Sequence, residues 1–240
     1  MAASVWAIHP KPDAMVRFRL RSEPVEGLPL SPPLSPAVVY ADPWLLVVDK
    51  PSGLLSQSGL GPHLQDAVPG RLRAAWGELR LVHRLDRDTS GLLLLARDAE
   101  AHRTLSRAFA ERRVRKTYRA EVWGRPTAAG GVIAVPLARA RRQPPQHRVH
   151  PLGRPSRTTW RLLASDGMVS QLALRPRTGR SHQLRVHLAW LGHPILGDPL
   201  YGHARSRALA PRLRLHACGL AFAHPLSGER ITLRSPPPWS

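Results

Sequence analysis

The stretch His83-Arg84-Leu85-Asp86-Arg87-Asp88-Thr89-Ser90-Gly91, followed at once by Leu92-Leu93-Leu94-Leu95, is the part of the sequence that decides the fold. Its first half is polar and ends at a glycine, as turns often do, and its second half is an apolar run of strand length. The stretch therefore predicts a buried strand over Gly91 to Arg97 that holds the preceding polar turn on a rigid edge.

Asp86 lies in this turn between Arg84 and Arg87. Neighbouring guanidinium groups favour the ionised form of a carboxyl group, and an ionised carboxylate can serve as a nucleophile or a general base. An aspartate in a turn also commonly caps its own backbone. The charge pattern alone leaves both interpretations open, and further residues are needed to separate them.

Three more elements can be read on either side of this turn. The apolar run from Trp44 to Val48 indicates a second buried strand, ended by a turn over Asp49 to Gly53. Asp98 is a suitable N-cap for a helix over Ala99 to Arg112. Strict alternation from Lys116 to Val122 predicts a strand with one aromatic side chain on its inner face.

The second half of the chain contains fewer regular patterns. The segment from Ala138 to Ser156 is rich in Arg, Pro and Gln without an apolar period, which predicts a long basic loop. Strands are expected over Thr158 to Ala164 and Val169 to Arg175, and Ser181 is expected to cap a helix that ends near Gly192. Many strands with few regular βα units indicate an α+β fold on a mixed sheet.

The charge of the chain points to a polyanionic partner. Its 240 residues include 36 Lys and Arg against 16 Asp and Glu, which gives a formal net charge of +20. Lysine occurs only at positions 11, 50 and 116, so an arginine-rich coding bias explains the choice of arginine. Such a bias does not explain the excess of positive over negative charge, and nucleic acid is the commonest partner of such proteins.

Cysteine content and hydropathy indicate a cytoplasmic protein without a membrane segment. The single Cys218 excludes an intramolecular disulfide framework and a cysteine-based zinc cluster, and it is expected to act as a small buried apolar residue. The longest apolar runs have strand length, and the N-terminus lacks the apolar core of a signal peptide. Residues 1–36 are rich in proline and predict an extension, with the main domain over residues 37–240.

Four segments in order resemble the RluA family of pseudouridine synthases over nearly everything from Leu45 to Ser235. The matching stretches are Leu46-Val47-Val48-Asp49-Lys50-Pro51-Ser52-Gly53-Leu54, His83 to Gly91, Lys116-Thr117-Tyr118 with Val122-Trp123-Gly124, and Thr178-Gly179-Arg180-Ser181-His182-Gln183-Leu184-Arg185-Val186-His187-Leu188 continuing to Tyr201. The long matches around Asp86 and Arg180 are specific when taken together, whereas the Lys-Pro-Ser-Gly turn alone is weak.

The resemblance implies a pseudouridine synthase fold, with a mixed, largely antiparallel sheet and a central RNA-binding cleft. It implies conversion of selected uridines to pseudouridine without a metal or organic cofactor, by a protein expected to be a monomer. The branch of the family that lacks an S4 domain is the most similar, and its members modify the anticodon loop of certain tRNAs and a stem-loop of large-subunit rRNA. A non-catalytic RNA-binding or ribosome-assembly factor with a retained fold is the alternative.

The resemblance also assigns roles to individual residues. Asp86 is the expected catalytic group, and Arg180 is expected to pair with it and keep it charged. Tyr118 is expected to stack on the target base and take part in proton transfer, and Leu184 to close the other side of the uracil. Arg84 is expected to enter the RNA stack where the base leaves. Two further residues in the matching stretches, Lys116 and His83, are assigned to RNA binding.

Two other features of the sequence bear on this assignment. His182, His187 and His193 invite a metal-binding interpretation, but their spacing does not match the usual zinc helix pair, so no metal site is predicted. Asp49 stands where the family commonly has asparagine, and Pro69-Gly70 interrupt a helix expected between Gln65 and Trp76. These departures affect the local surface expected to contact RNA and leave the chemistry untouched.

Overall fold

A computed structural model describes residues 35–141 and 145–239. The N-terminal extension predicted over residues 1–36 lies outside the described residues, apart from its last two positions.

Strands and helices alternate irregularly along the described chain. The strands are β1 (Ala37–Ala41), β2 (Leu45–Lys50), β3 (Arg80–Leu81), β4 (Ser90–Ala96), β5 (Arg115–Trp123), β6 (Gly130–Ile133), β7 (Leu137–Arg141), β8 (Gln146–Val149), β9 (Thr158–Ser165), β10 (Val169–Pro176), β11 (Leu215–Ala223) and β12 (Arg230–Arg234). The helices are α1 (Val68–Trp76), α2 (Ala99–Ala110), α3 (Gln183–Trp190) and α4 (Ala204–Ala208).

Ten of the described strands form one mixed sheet. Its order is β1-β2-β4-β11-β5-β10-β9-β6, with β3 paired to β4 and β12 paired to β11. The pair β4 and β11 is parallel, and the other pairs in the sheet are antiparallel. This confirms the α+β class and the mixed, mostly antiparallel sheet.

Strand β4 is buried on both faces, which explains its run of leucines. Leu93 and Leu95 belong to the core on the side of Tyr118, whereas Leu92 and Leu94 pack with α2 on the opposite side. A strand covered on both faces has no polar side, so its sequence does not alternate. Complete burial of each leucine contributes about 1.5–3 kcal/mol, and β4 is therefore a fixed support for the turn that precedes it.

Most of the elements predicted by periodicity are confirmed. Helix α2 starts where predicted, with the Asp98 carboxylate accepting the Ala101 amide at 2.9 Å. Strand β5 buries Tyr118, Ala120 and Val122 as its alternation predicts. Helix α1 begins at Val68, with Pro69 in its first turn, where a missing backbone N–H costs little.

The basic loop predicted over Ala138 to Ser156 is wrong, because β7 and β8 pair as an antiparallel hairpin in a separate two-stranded sheet. Pairing brings Leu137 opposite Val149. Residues Ala138 to Arg141 and Gln146 to Val149 are half-buried or exposed wherever their burial is described, and none is fully buried. Within the described burial, Leu137 is the one fully buried residue of the hairpin, so the ribbon has no apolar period and its hydrogen-bonded backbone left no signal in the sequence.

Helix α3 also begins differently from the prediction. Ser181 is exposed, and the N-cap position belongs to His182, whose backbone is left-handed with φ 55° and whose side chain caps no helix amide. The helix ends as predicted, with Leu191 at its C-cap and Gly192 after it.

Asp49, which departs from the family pattern, has an intramolecular partner in this chain. Its carboxylate accepts a hydrogen bond from the Ser235 hydroxyl, and the Ser235 amide donates to the Cys218 carbonyl at 3.0 Å. Asp49 therefore connects the end of β2 to the segment after β12 by a side-chain hydrogen bond.

Gly91 allows β4 and β11 to approach each other closely. It has φ 112°, and a Cβ built on it would lie 2.5 Å from both the amide nitrogen and the carbonyl oxygen of Ala217. Gly53 has φ 89°, but a Cβ there would meet nothing within 4 Å.

We expect Gly91→Ala to lower the free energy of unfolding by about 2–5 kcal/mol, because unfavourable φ adds to a clash with the backbone. Gly53→Ala is the matched control, since it introduces the same strain without the clash, and should cost about 1–2 kcal/mol. Urea denaturation followed by circular dichroism measures both. Equal losses in the two variants would contradict the close approach at Gly91.

Candidate active site

A cleft of about 1570 Å³ is lined by residues of the sheet and of α2 and α3 and is rich in arginine. The carboxylates on its wall are Asp86 and Glu121. Its cationic side chains include Arg84, Arg115, Lys116, Arg119, Arg161, Arg175, Arg177 and Arg180. Such a surface attracts a polyanion, and Asp86 is an exception to its prevailing charge.

Asp86 lies in the turn directly before β4, as the sequence predicted. Its side chain is 22% exposed and opens into the cleft, whereas the preceding Leu85 is buried. The turn is closed by a hydrogen bond from the Thr89 amide to the Asp86 carbonyl, at 3.1 Å. The Leu85 backbone also exchanges two hydrogen bonds with the Ser56 hydroxyl. Asp86 is thus held from both sides on a rigid segment.

Lys50 anchors this turn from beneath. Its side chain is fully buried, and Nζ donates to the carbonyl oxygens of Pro51, Leu54 and Arg87 at 2.9, 2.8 and 2.9 Å. Burial lowers the Lys50 pKa to about 7, although the nearby carboxylates, Asp88 and Asp86 foremost, oppose this shift. The Lys-Pro-Ser-Gly turn, which is weak evidence in the sequence, therefore positions the segment that carries Asp86.

The arginine nearest to the Asp86 carboxylate is Arg185 and not Arg180. Nη1 of Arg185 lies 3.9 Å from Asp86 Oδ2, and the side chain is almost fully buried. Arg180 directs its Nε to the Pro155 carbonyl at 3.3 Å instead. The expected pairing of Arg180 with Asp86 is therefore not present in the structure, because Arg180 lies before α3 and Arg185 lies on its first turn.

Arg185 is fixed in this position by a second carboxylate. Its Nε and Nη2 donate to Asp198 at 2.8 and 2.6 Å, and Asp198 is itself buried. Asp198 also accepts the amides of Leu200 and Tyr201 at 2.9 and 3.1 Å. A two-bond pair of this kind leaves a guanidinium little freedom to rotate. Sequence reasoning missed Arg185, although it stands in the same matching stretch as Arg180.

His182 is the second cation-forming side chain near Asp86. Its Nε2 lies 3.9 Å from Asp86 Oδ1, whereas the Arg185 contact is made to Oδ2. Its Nδ1 lies 2.7 Å from the Tyr201 hydroxyl oxygen. Burial lowers the His182 pKa, although Asp86 acts in the opposite direction.

Tyr118 and Leu184 both line the cleft beside Asp86. Tyr118 projects from β5 and is 9% exposed, and Leu184 projects from α3 and is 7% exposed. Burial and the Asp86 charge raise the Tyr118 pKa, so the phenol keeps its proton at neutral pH. The structure therefore brings together the aromatic and the aliphatic residue that the resemblance assigned to the target base.

The three residues assigned to RNA contact differ in exposure. Arg84 is exposed at the cleft, two residues before Asp86. Lys116 is half-buried with its ammonium 5.9 Å from the Phe109 ring centre, and burial lowers its pKa. His83 stacks on Phe109 with ring centres 4.6 Å apart.

His83 also has an internal hydrogen-bond partner. Its Nε2 accepts the Leu94 amide at 3.0 Å, and burial lowers its pKa to about 3, so the ring is neutral. These contacts attach the segment before Asp86 to β4 and α2. RNA binding by His83 stays a prediction.

Two histidines considered for metal binding are instead engaged inside the protein. His187 bonds to Ser156 and Thr158 at 2.8 and 2.9 Å, and His193 bonds to the Trp123 carbonyl at 2.9 Å. Within residues 35–141 and 145–239, no three His, Cys, Asp or Glu side chains are arranged to hold a metal ion. In the same ranges, no helix is long and apolar enough to cross a membrane.

The sequence matches the RNA pseudouridylate synthase family over residues 44–190. It is 42% identical to the dual-specificity RNA pseudouridine synthase RluA of Escherichia coli K12, over 86% of this chain and 96% of that protein. It is 40% identical to the enzyme of the same name from Haemophilus influenzae, over 85% and 95%.

A solved structure supports the same relationship. Human RNA pseudouridylate synthase domain containing 1 superposes with a TM-score of 0.72 and 31% sequence identity, covering 85% of this chain and 84% of that one. The family match includes Asp86, Tyr118 and Arg185, the residues that meet in the cleft. The chain belongs to the RNA pseudouridylate synthase family and is a pseudouridine synthase of the RluA type.

Proposed function

We propose that this enzyme isomerises uridines in two kinds of RNA, a tRNA anticodon loop and a stem-loop of large-subunit rRNA, with Asp86 as its catalytic residue. The observation that carries the proposal is the half-buried Asp86 carboxylate in an otherwise cationic cleft, within 4 Å of Arg185. The relatives from two bacteria are named dual-specificity enzymes, and they are matched over 95% or more of their length. Such substrates are consistent with a cytoplasmic enzyme.

The reaction explains why a carboxylate, a stacking ring and a closed pocket would occur together. The glycosidic bond to nitrogen breaks, a bond from the same sugar carbon to C5 of uracil forms, and the C5 proton is lost while the ring nitrogen gains one. Atoms and electrons balance without a co-reactant. The detached base must rotate without escaping, so the nucleotide has to leave the RNA stack and enter a pocket.

Each role follows from position in the cleft. Asp86 is proposed to attack the sugar or the base, or to assist formation of a glycal, and Arg185 is proposed to hold its carboxylate in position. Tyr118 and Leu184 are proposed to sandwich the uracil, a stacking contact worth about 1–3 kcal/mol. Arg84, exposed beside Asp86, is proposed to fill the gap left in the stack.

We expect Asp86→Asn to reduce turnover by at least about 10³-fold, because the amide cannot act as a nucleophile or base. The measurement is tritium release from RNA labelled at uracil C5. Asp88→Asn is the matched control, since Asp88 lies in the same turn and is similarly exposed but pairs with Arg87 at 3.2 Å outside the cleft lining, and it should keep near-normal turnover. Full activity of Asp86→Asn would contradict the proposed mechanism, and wild type inactive on every cellular RNA would favour an RNA binder.

We expect Arg185→Lys and Arg180→Lys to behave differently. Lysine cannot make the two-bond pair with buried Asp198, so Arg185→Lys should lower kcat and cost about 3 kcal/mol of stability. Arg180→Lys keeps a charge at the cleft and should leave single-turnover rates within about threefold, since surface charges contribute little. Single-turnover kinetics and urea denaturation compare the two variants. A larger kinetic loss in Arg180→Lys would restore the original assignment.

We expect RNA binding to weaken steeply with salt, by about 10³-fold between 50 and 200 mM if roughly six phosphates are contacted. Arg177→Gln, at the exposed cleft wall, should reduce the slope of log K against log salt by about one. Arg73 of α1 is the control position, because it pairs with Glu78 and lies outside the cleft. Arg73→Gln should leave the slope unchanged. Filter binding at several salt concentrations measures these slopes, and a flat salt response would refute the basic-cleft interpretation.

A further inference from the structure

His182 has an uncommon backbone conformation beside the proposed catalytic carboxylate. Its φ of 55° is left-handed, and in the described chain Arg112 is the other non-glycine residue with a positive φ. A residue with a Cβ loses free energy in this region, and such outliers persist where the surroundings hold them in place. The His182 side chain caps no amide of α3, so the start of the helix does not account for the conformation.

The hydrogen bonds around Tyr201 favour one tautomer of His182. The Tyr201 oxygen accepts the backbone amide of His147 at 2.9 Å, which leaves the hydroxyl proton to be donated elsewhere. His182 Nδ1, 2.7 Å away, is the acceptor it meets. A neutral imidazole that accepts at Nδ1 carries its proton on Nε2. The Nε2–H group therefore faces Asp86 Oδ1.

Tyr201 is in turn held by the carboxylate that fixes Arg185. Its amide donates to Asp198 Oδ1 at 3.1 Å, and the Arg185 guanidinium lies 5.2 Å from its ring centre. Two series of side-chain contacts thus connect the buried Asp198 to Asp86. One passes through Arg185 to Oδ2, and the other passes through Tyr201 and His182 to Oδ1.

We propose that His182 is a positioning residue, which donates from Nε2 to Asp86 Oδ1 while Arg185 holds Oδ2, so that the carboxylate cannot rotate when it meets the target nucleotide. The inference rests on the proposed catalytic role of Asp86. Both contacts are 3.9 Å long, which is beyond hydrogen-bond distance, so the proposed donation requires each of them to shorten. Catalytic hydrogen bonds are often long before substrate binds and shorten in the complex.

The backbone of His182 allows a test that separates positioning from stability. His182→Gly relieves the positive φ, which offsets part of the stability lost with the bond to Tyr201 and the ring contacts, so the melting temperature should change by only a few degrees. Its kcat should nevertheless fall about 10- to 100-fold, the loss expected when a reacting group is misplaced, with KM for RNA unchanged. Arg112→Gly is the control for the effect of relieving a positive φ on melting temperature.

A conservative replacement and a double mutant identify the group responsible. His182→Gln places an N–H donor at the reach of Nε2, so it should recover part of kcat while melting lower than the glycine variant. Tyr201→Phe removes the hydroxyl that selects the tautomer and should lower kcat in the wild-type background. In the His182→Gly background the same change should have no further effect on kcat, because Tyr201 acts through His182.

The outcomes separate this inference from the proposed function. Full kcat in His182→Gly, with Asp86→Asn inactive, overturns the role of His182 and leaves the role of Asp86 standing. A kcat in His182→Gln no higher than in His182→Gly also overturns it, since a donor at the place of Nε2 would then have no role. An active Asp86→Asn removes the basis of both.

Discussion

The buried ion pair between Arg185 and Asp198 is the interaction on which the site depends. Both side chains are almost fully inaccessible, and removing two charges from water is costly unless their remaining polar atoms are satisfied. Asp198 meets this condition by accepting two backbone amides in addition to the guanidinium. The pair therefore has one arrangement available, and it joins α3 to the loop after it.

The sheet supplies the other half of the site. Parallel pairing of β4 with β11 occurs at Gly91, where the backbones approach too closely for a side chain, and β5 pairs with β11 on its far edge. This order brings the turn before β4 next to Tyr118 on β5. Asp86 and Tyr118 are 32 positions apart in sequence, yet β4 and β5, which flank β11, place them in the same cleft.

The parts of the structure predictable from sequence are those in which side-chain periodicity follows burial. The leucines of β4, the capped helix α2 and the alternating β5 bury whole faces, so their patterns are strong. The β7–β8 hairpin buries Leu137 but no run of alternate side chains, and its pairing energy comes from backbone groups that are the same in every residue. Its basic composition was therefore indistinguishable from that of a loop.

The choice between Arg180 and Arg185 could not be made from sequence for a related reason. Both stand in one matching stretch and carry the same charge, and what distinguishes them is a partner thirteen positions away at Asp198. Only the fold shows that Asp198 lies behind the first turn of α3, where it pairs with one arginine and leaves the other at the rim. The spacing of the histidines bears only on metal binding, so it does not indicate that His182 lies beside Asp86.

The distribution of charge around Asp86 shows how an arginine-rich protein keeps one carboxylate reactive. Exposed arginines of the cleft are free to meet phosphates, whereas Arg185 is neutralised by Asp198 and Lys50 is surrounded by three carbonyl oxygens. Three acceptors match the three donors of an ammonium group, so the geometry favours the protonated form of Lys50 even though burial lowers its pKa to about 7. Lys50 and Arg185, the cations near Asp86, thus already have hydrogen-bond partners inside the protein. Asp86 therefore lies near the positive charge of Arg185 and Lys50, and neither cation forms a hydrogen bond to it.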